Sequence, residues 1–142
     1  MKVLVAGDYV PMYRLAPLVE AGAFEAVLGE ARTLTEAADY SLVNLECPVV
    51  VHEAIPIAKS GTNLRCTSRG VEALAWAGFR CVTLANNHFL DYGPSAVSDT
   101  LDACKQLGIN VVGGGMTLCD ACRTLYCDVA GRRLGVVRLL RA

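Results

Sequence analysis

Short apolar runs rich in β-branched residues alternate along the chain with stretches whose apolar residues recur at helical spacing. Residues 2–6, 40–45, 81–85 and 109–112 are the strand-like runs. Residues 13–28 predict one broken helix or two short ones, because Pro17 and Gly22 interrupt a mixed spacing. Thr35 precedes Glu36-Ala37-Ala38 in what reads as a short helical turn. Thr67 or Ser68 is placed to cap a helix running to Ala77, with Gly78 as its stop. From Ser95 onward, Val97, Leu101, Cys104 and Leu107 form one stripe that ends at Gly108. Thr117 caps a short helix containing Asp120 to Cys122, and residues 124–129 and 133–140 flank Ala130-Gly131-Arg132 as an antiparallel hairpin. Strands that alternate with helices predict an α/β fold with a mostly parallel sheet, closed here by a C-terminal β-hairpin.

The segment 49–57 departs from this rhythm. It is apolar, but Pro48 and Pro56 confine it to an edge strand or an extended excursion, and Lys59 to Asn63 is a loop by composition. Lys59 there is either a solvated charge or a partner for an anionic ligand. Gly113-Gly114-Gly115 follows a strand without the spacing of a dinucleotide fingerprint, which favours a plain turn over a phosphate cradle. Nucleotide binding at that turn is kept as a third functional reading.

At 142 residues and 54% hydrophobic content the chain can bury one domain's core. A net charge of −1 lacks the attraction that draws basic proteins to nucleic acid, so no nucleic-acid partner is expected. No apolar run is long enough to span a bilayer, and the N-terminal run is too short for a signal peptide; as written, a cytoplasmic location is expected. Seven cysteines, an odd number, then read as reduced thiols, with Cys119-Asp120-Ala121-Cys122 lacking the second pair a zinc site needs.

Three successive strands end in polar groups able to do chemistry: Asp8, Glu46, and the loop Asn86-Asn87-His88 with Asp91. Asn and Asp are ordinary turn and cap residues, and Pro94 at a helix start explains a polar loop without chemistry. If the strands are parallel neighbours, however, those ends share one sheet edge, where ligands of open α/β sheets bind. Crowded carboxylates repel unless a cation compensates, and carboxylate with amide oxygen suits Mg²⁺ or Mn²⁺, or Fe or Zn with added imidazole. Such an ion activates bound water, and His88 is placed to protonate a leaving group.

Gly7-Asp8, Asn44-Leu45-Glu46-Cys47-Pro48, Lys59-Ser60-Gly61, Ala85-Asn86-Asn87-His88 with Asp91-Tyr92-Gly93, Thr100, and Gly113 to Gly115 together resemble the CapA-type poly-γ-glutamate capsule-biosynthesis proteins. The resemblance runs over nearly the whole chain. It implies a layered, calcineurin-like metallophosphoesterase fold of which this is the N-terminal half, with Asp8, Glu46 and Asn87 at metal-ligand positions, His88 assisting the leaving group and Asp91 supporting it. It also implies a divalent metal, a phosphoester or polyanionic polymer substrate, and relatives often anchored to a membrane. Since the family's second half supplies further histidines and a second sheet, a weak, incomplete metal site is expected here, with self-association through uncovered sheet surface. His52, beside Glu53, reads as a surface residue. The alternative function is a non-catalytic accessory or polymer-binding role in capsule assembly or export.

Overall fold

The computed structural model describes residues 1–138. Four strands, β1 (Val3–Tyr9), β2 (Tyr40–Leu45), β3 (Cys81–Thr83) and β4 (Asn110–Val112), form a wholly parallel sheet in the order β1-β2-β3-β4. The crossovers carry α1 (Ala16–Glu20) and α2 (Phe24–Glu36), then α3 (Ser68–Trp76), then α4 (Gly93–Gln106). A sheet wound in one direction by right-handed crossovers puts its helices on one face. Accordingly Val43, Leu45, Val82 and Leu84 share a core with Val71 and Leu74 of α3 and Val97 and Cys104 of α4. The opposite face, through Tyr40, Cys81 and Val112, meets Val129 and Val136 of a separate antiparallel hairpin, β5 (Leu125–Val129) and β6 (Arg132–Val136). The one-turn helix α5 (Leu118–Ala121) precedes the hairpin. β1 forms one lateral edge, and its Val5 is 68% exposed.

Local chemistry explains most boundaries. Thr67 accepts a hydrogen bond from the Arg69 N–H and Thr117 one from the Asp120 N–H, so both expected caps form. Gly78 ends the α3 segment at φ +82°, and a side chain there would strike the Thr35 hydroxyl. The mixed spacing in 13–28 resolves into a 3₁₀ turn (Tyr13–Leu15) and two helices that break at Gly22. Thr35 does not open a new turn, because α2 runs through it to Glu36. Its single hydroxyl proton is instead shared between the Arg32 and Ala77 carbonyls, tying α2 to the end of α3. The third strand stops at Thr83, two residues early, and α4 starts at Gly93, before Ser95. β1 continues through Asp8 to Tyr9 across a register shift. Of the second hairpin run, residues 139 and 140 lie outside the described residues.

Residues 46–67 are the excursion rather than an edge strand: within them only the parallel bridge between Val49 and Cys66 is regular. This strap is pinned from outside. The Thr100 hydroxyl, fully buried, accepts from the Val49 N–H at 2.8 Å and donates to the Ala96 carbonyl at 2.6 Å. The cysteines are free, and Cys47, Cys66, Cys81 and Cys104 are buried. Burial pushes the Cys81 thiol up to about 11 and that of Cys104 up to about 12, as expected of thiols acting as small apolar groups. No helix of the described residues is long and apolar enough to cross a membrane.

Thr100→Val keeps the shape of this anchor but leaves the Val49 N–H without its acceptor. It is expected to destabilise the fold by about 1–3 kcal/mol, measured as a lowered urea midpoint with an unchanged slope.

Candidate functional site

Parallel register assembles the first half of the site. Asp8 on β1 is the backbone partner of Asn44 on β2, and Asn44 in turn of Thr83 on β3, so the three side chains form one row across the sheet. Glu46 lies two residues beyond Asn44, and the period of two returns it to the same face. The Asn44 amide nitrogen donates to Asp8 Oδ1 at 2.8 Å and also to Glu46 Oε2. Its Oδ1 accepts from the Thr83 hydroxyl at 3.0 Å and from the Asn86 amide at 3.4 Å, which fixes the amide with its donors toward the carboxylates. Asp8 is exposed, Glu46 half-buried and Asn44 buried.

The second half stands on the loop after β3. Asn86, buried, donates to the Leu45 carbonyl at 2.9 Å and accepts from the His88 N–H at 3.0 Å, an Asx-type turn that locks the loop to the end of β2. His88 Nδ1 lies 2.7 Å from Asp91 Oδ2 and 3.1 Å from Lys59 Nζ, and Lys59 also donates to Asp91 Oδ1. Asp91 is fully buried, and the Leu64 N–H completes its coordination at 2.7 Å. Burial pushes the Asp91 carboxyl up, but the Lys59 ammonium, the Leu64 N–H and the His88 ring together hold it below the usual carboxylate range.

Of the residues singled out from the sequence, Asp8 and Glu46 are thus brought together through Asn44, and His88 and Asp91 are in direct contact. Asn86 joins the two groups, and Asn87, between Asn86 and His88 in the chain, is exposed with no side-chain hydrogen bond among the described residues. His52 is exposed. Two contributions were not assigned from sequence. Asn44 carries the amide that compensates the carboxylates, and its signal was the strand period that pairs it with Glu46. Lys59 spends its charge on Asp91 and His88. The glycine run has a packing cause: a side chain at Gly114 would strike Leu84 and Phe89, and one at Gly113 would strike Ala85.

The donor set tests whether a cation fits. Asp8 and Glu46 offer two carboxylates that both meet the Asn44 amide nitrogen, and Asn87 offers an unengaged amide oxygen on the neighbouring loop, all hard donors. Among the described residues no group of three or more His, Cys, Asp or Glu side chains is close enough to hold an ion. The Asn44 amide already offsets the repulsion between the two acids, so their proximity needs no cation to explain it.

Replacing the buried Asp91 by Asn breaks the pair with Lys59 and is expected to cost about 3 kcal/mol at neutral pH. Because the folded carboxyl titrates below its unfolded value of 3.8, its stabilisation is complete above that value and is lost as pH falls through the folded one. The gap between wild type and Asp91→Asn in urea denaturation should therefore be constant from neutrality down to about pH 4–5 and shrink in stronger acid.

The sequence is similar to those of capsule-biosynthesis proteins. The chain is 27% identical to the capsule biosynthesis protein CapA of Bacillus anthracis over 94% of its own length and 33% of that protein. It is 27% identical to the PGA biosynthesis protein CapA of Bacillus subtilis, over 81% of this chain and 30% of the relative. It is 33% identical to a probable polyglutamine synthesis accessory protein of Mycobacterium tuberculosis, over 77% and 29%. The chain spans about a third of the length of these relatives. Residues 2–141 match the family described as bacterial capsule synthesis protein PGA_cap, and the chain belongs to that family.

Proposed function

We propose that the carboxyl edge of the sheet is a metal-dependent, phosphoesterase-like hydrolytic centre serving polyglutamate capsule biosynthesis. The observation that carries this reading is the hydrogen-bonded group of Asp8, Asn44 and Glu46, linked through Asn86 to the His88–Asp91 pair. Asp8, Glu46 and Asn87 would hold a divalent ion, Mn²⁺, Mg²⁺, Fe or Zn, which when bound supplies Lewis acidity and an activated water. The chain's own residues do the rest. Asp91 accepts from His88 Nδ1, which orients the ring and leaves Nε2 to carry a proton to a departing oxygen. Lys59 neutralises Asp91, so the buried carboxylate stays ionised and the ring keeps its orientation.

A second reading is a non-catalytic accessory role in which the same fold binds the acidic polymer. The exposure of Asp8 and Asn87 and the compensation of the two acids by Asn44 favour it, and so does the accessory role in the mycobacterial relative's name. The relatives are about three times as long, so the catalytic experiment belongs in the longest natural reading frame that contains this chain.

Turnover of a generic phosphomonoester and phosphodiester with Mn²⁺ is compared in wild type, Asp8→Asn and His88→Ala. The hydrolytic reading expects a fall of about 10²-fold or more in kcat for His88→Ala and loss of Mn²⁺ dependence for Asp8→Asn. Equal rates in all three end it in favour of the accessory role.

A further inference from the structure

Two thiols belong neither to the core nor to the carboxylate rim. Cys47, Cys66, Cys81 and Cys104 are buried and Cys127 is half-buried, whereas Cys119 and Cys122 are both exposed. The two stand three residues apart on the single turn of α5, with Cys122 as its C-cap at φ −85° and ψ −2°. Residues so spaced on a helix share a face with Cα atoms about 5 Å apart, inside the range that a disulfide spans. No helix continues beyond Cys122, so its side chain can close the remaining gap without unwinding anything further. Other groups hold the turn in shape. The Thr117 hydroxyl donates to Asp120 Oδ2 at 2.7 Å and accepts from the Asp120 N–H at 3.1 Å, and Arg123 pairs with Asp120 at 3.2 Å. A side chain at Gly115 would strike Asp120, so α5 is also pressed onto the turn before it. The thiol hydrogen bonds among the described residues belong to Cys66, Cys81 and Cys127, which leaves both α5 sulfurs unengaged.

Placement in the fold is a second, independent observation. α5 follows the parallel strand β4 across the turn Gly113 to Gly115, so the pair stands at the carboxyl edge of the sheet, where ligands of open α/β sheets bind. Cys122 also borders a hollow of about 440 Å³ lined by Phe89, Leu90, Leu118 and Val137, which sets an accessible sulfur beside an apolar wall. Two cysteines do not complete a tetrahedral zinc site, and among the described residues no third His, Cys, Asp or Glu joins them. Beside a parallel β-α unit this spacing instead suits thiol–disulfide chemistry. We propose that Cys119 and Cys122 form a redox dithiol that exchanges with a small disulfide of the glutathione class. One protein thiolate attacks a sulfur of the small disulfide, forming a mixed disulfide and releasing one thiol. The second attacks the protein-bound sulfur of that mixed disulfide, closing the Cys119–Cys122 bond and releasing the other thiol. The pair loses two electrons, the small disulfide gains them, and the two protein thiol protons pass to the released thiols. Burial pushes the Cys81 and Cys104 thiols up, which keeps them protonated and confines exchange to the exposed pair. The inference is independent of the hydrolytic and accessory readings.

The reduced chain is equilibrated in glutathione buffers of rising oxidised-to-reduced ratio, trapped with a maleimide, digested with trypsin and mapped by mass spectrometry without reduction. Cleavage after Lys105 and Arg123 isolates residues 106–123, which hold Cys119 and Cys122 and no other cysteine. This peptide should be the first to lose two hydrogens, ahead of oxidation at Cys127, and no glutathione adduct should accumulate on it. In Cys119→Ser and in Cys122→Ser the attacking partner is gone. The mixed disulfide should then persist at about tenfold or more the wild-type level, because a neighbouring thiol acts at high effective concentration. Both positions are exposed, so the melting temperatures of the reduced variants should match that of wild type, which separates exchange from folding. An adduct as abundant in wild type as in the single variants overturns the proposal. So does a 106–123 peptide that keeps both thiols while Cys127 is oxidised, or a disulfide from Cys119 or Cys122 to another cysteine or to a second chain.

Discussion

A carboxylate with no exposed surface, Asp91, is the constraint from which the site's geometry follows. An isolated buried charge costs several kcal/mol, so the fold must bring partners to it. The partners come from two segments: the loop after β3 supplies His88, and the strap supplies Lys59 and the Leu64 N–H. The Ile57 N–H adds a bond to the Asp91 carbonyl. Twenty-odd residues with almost no regular structure are thereby held across the sheet edge by Asp91 at one end and Thr100 at the other, and a long irregular segment so anchored is the usual setting of a binding loop.

The rim depends on a different device. Asp8, Asn44 and Thr83 share a row because the strands are parallel and in register, and Glu46 joins them by the strand period. A neutral amide, rather than a lysine or arginine, stands between the two acids. The rim therefore keeps its negative charge, while the charge of Lys59, carried by the strap, is spent on Asp91.

Much of this was legible in the sequence because the information was local. Thr67 and Thr117 cap as their positions suggest, since a cap needs only its own next turn. The carboxyl-edge placement of Asp8, Glu46 and His88 followed from strands alternating with helices. Thr35 misled because a hydroxyl that suits a cap equally suits a bond to a distant carbonyl, here that of Ala77. Asn86 and Asn87 were indistinguishable as neighbours in a polar loop; the structure separates them into a buried brace and an exposed amide. The partnerships of Lys59 with Asp91 and of Arg65 with Tyr92 span 32 and 27 residues respectively, beyond any local pattern. The glycine run read as a plain turn rather than a phosphate cradle, and close packing on Leu84, Ala85 and Phe89 explains the absence of side chains at Gly113 and Gly114.

Winding the sheet in one direction has a final consequence for where function can sit. Helices fill one face, so the row of polar side chains can only stand on the other, where the hairpin covers Tyr40, Cys81 and Val112 but leaves Val5 on the β1 edge open. Asp8 belongs to that open edge strand, and its carboxylate is consequently the most accessible of the rim donors held in the Asn44 network, whereas Asn44 and Asn86 are buried. Accessibility thus rises from the braces at the centre of the sheet toward β1, the side on which the loop carrying Tyr13 begins.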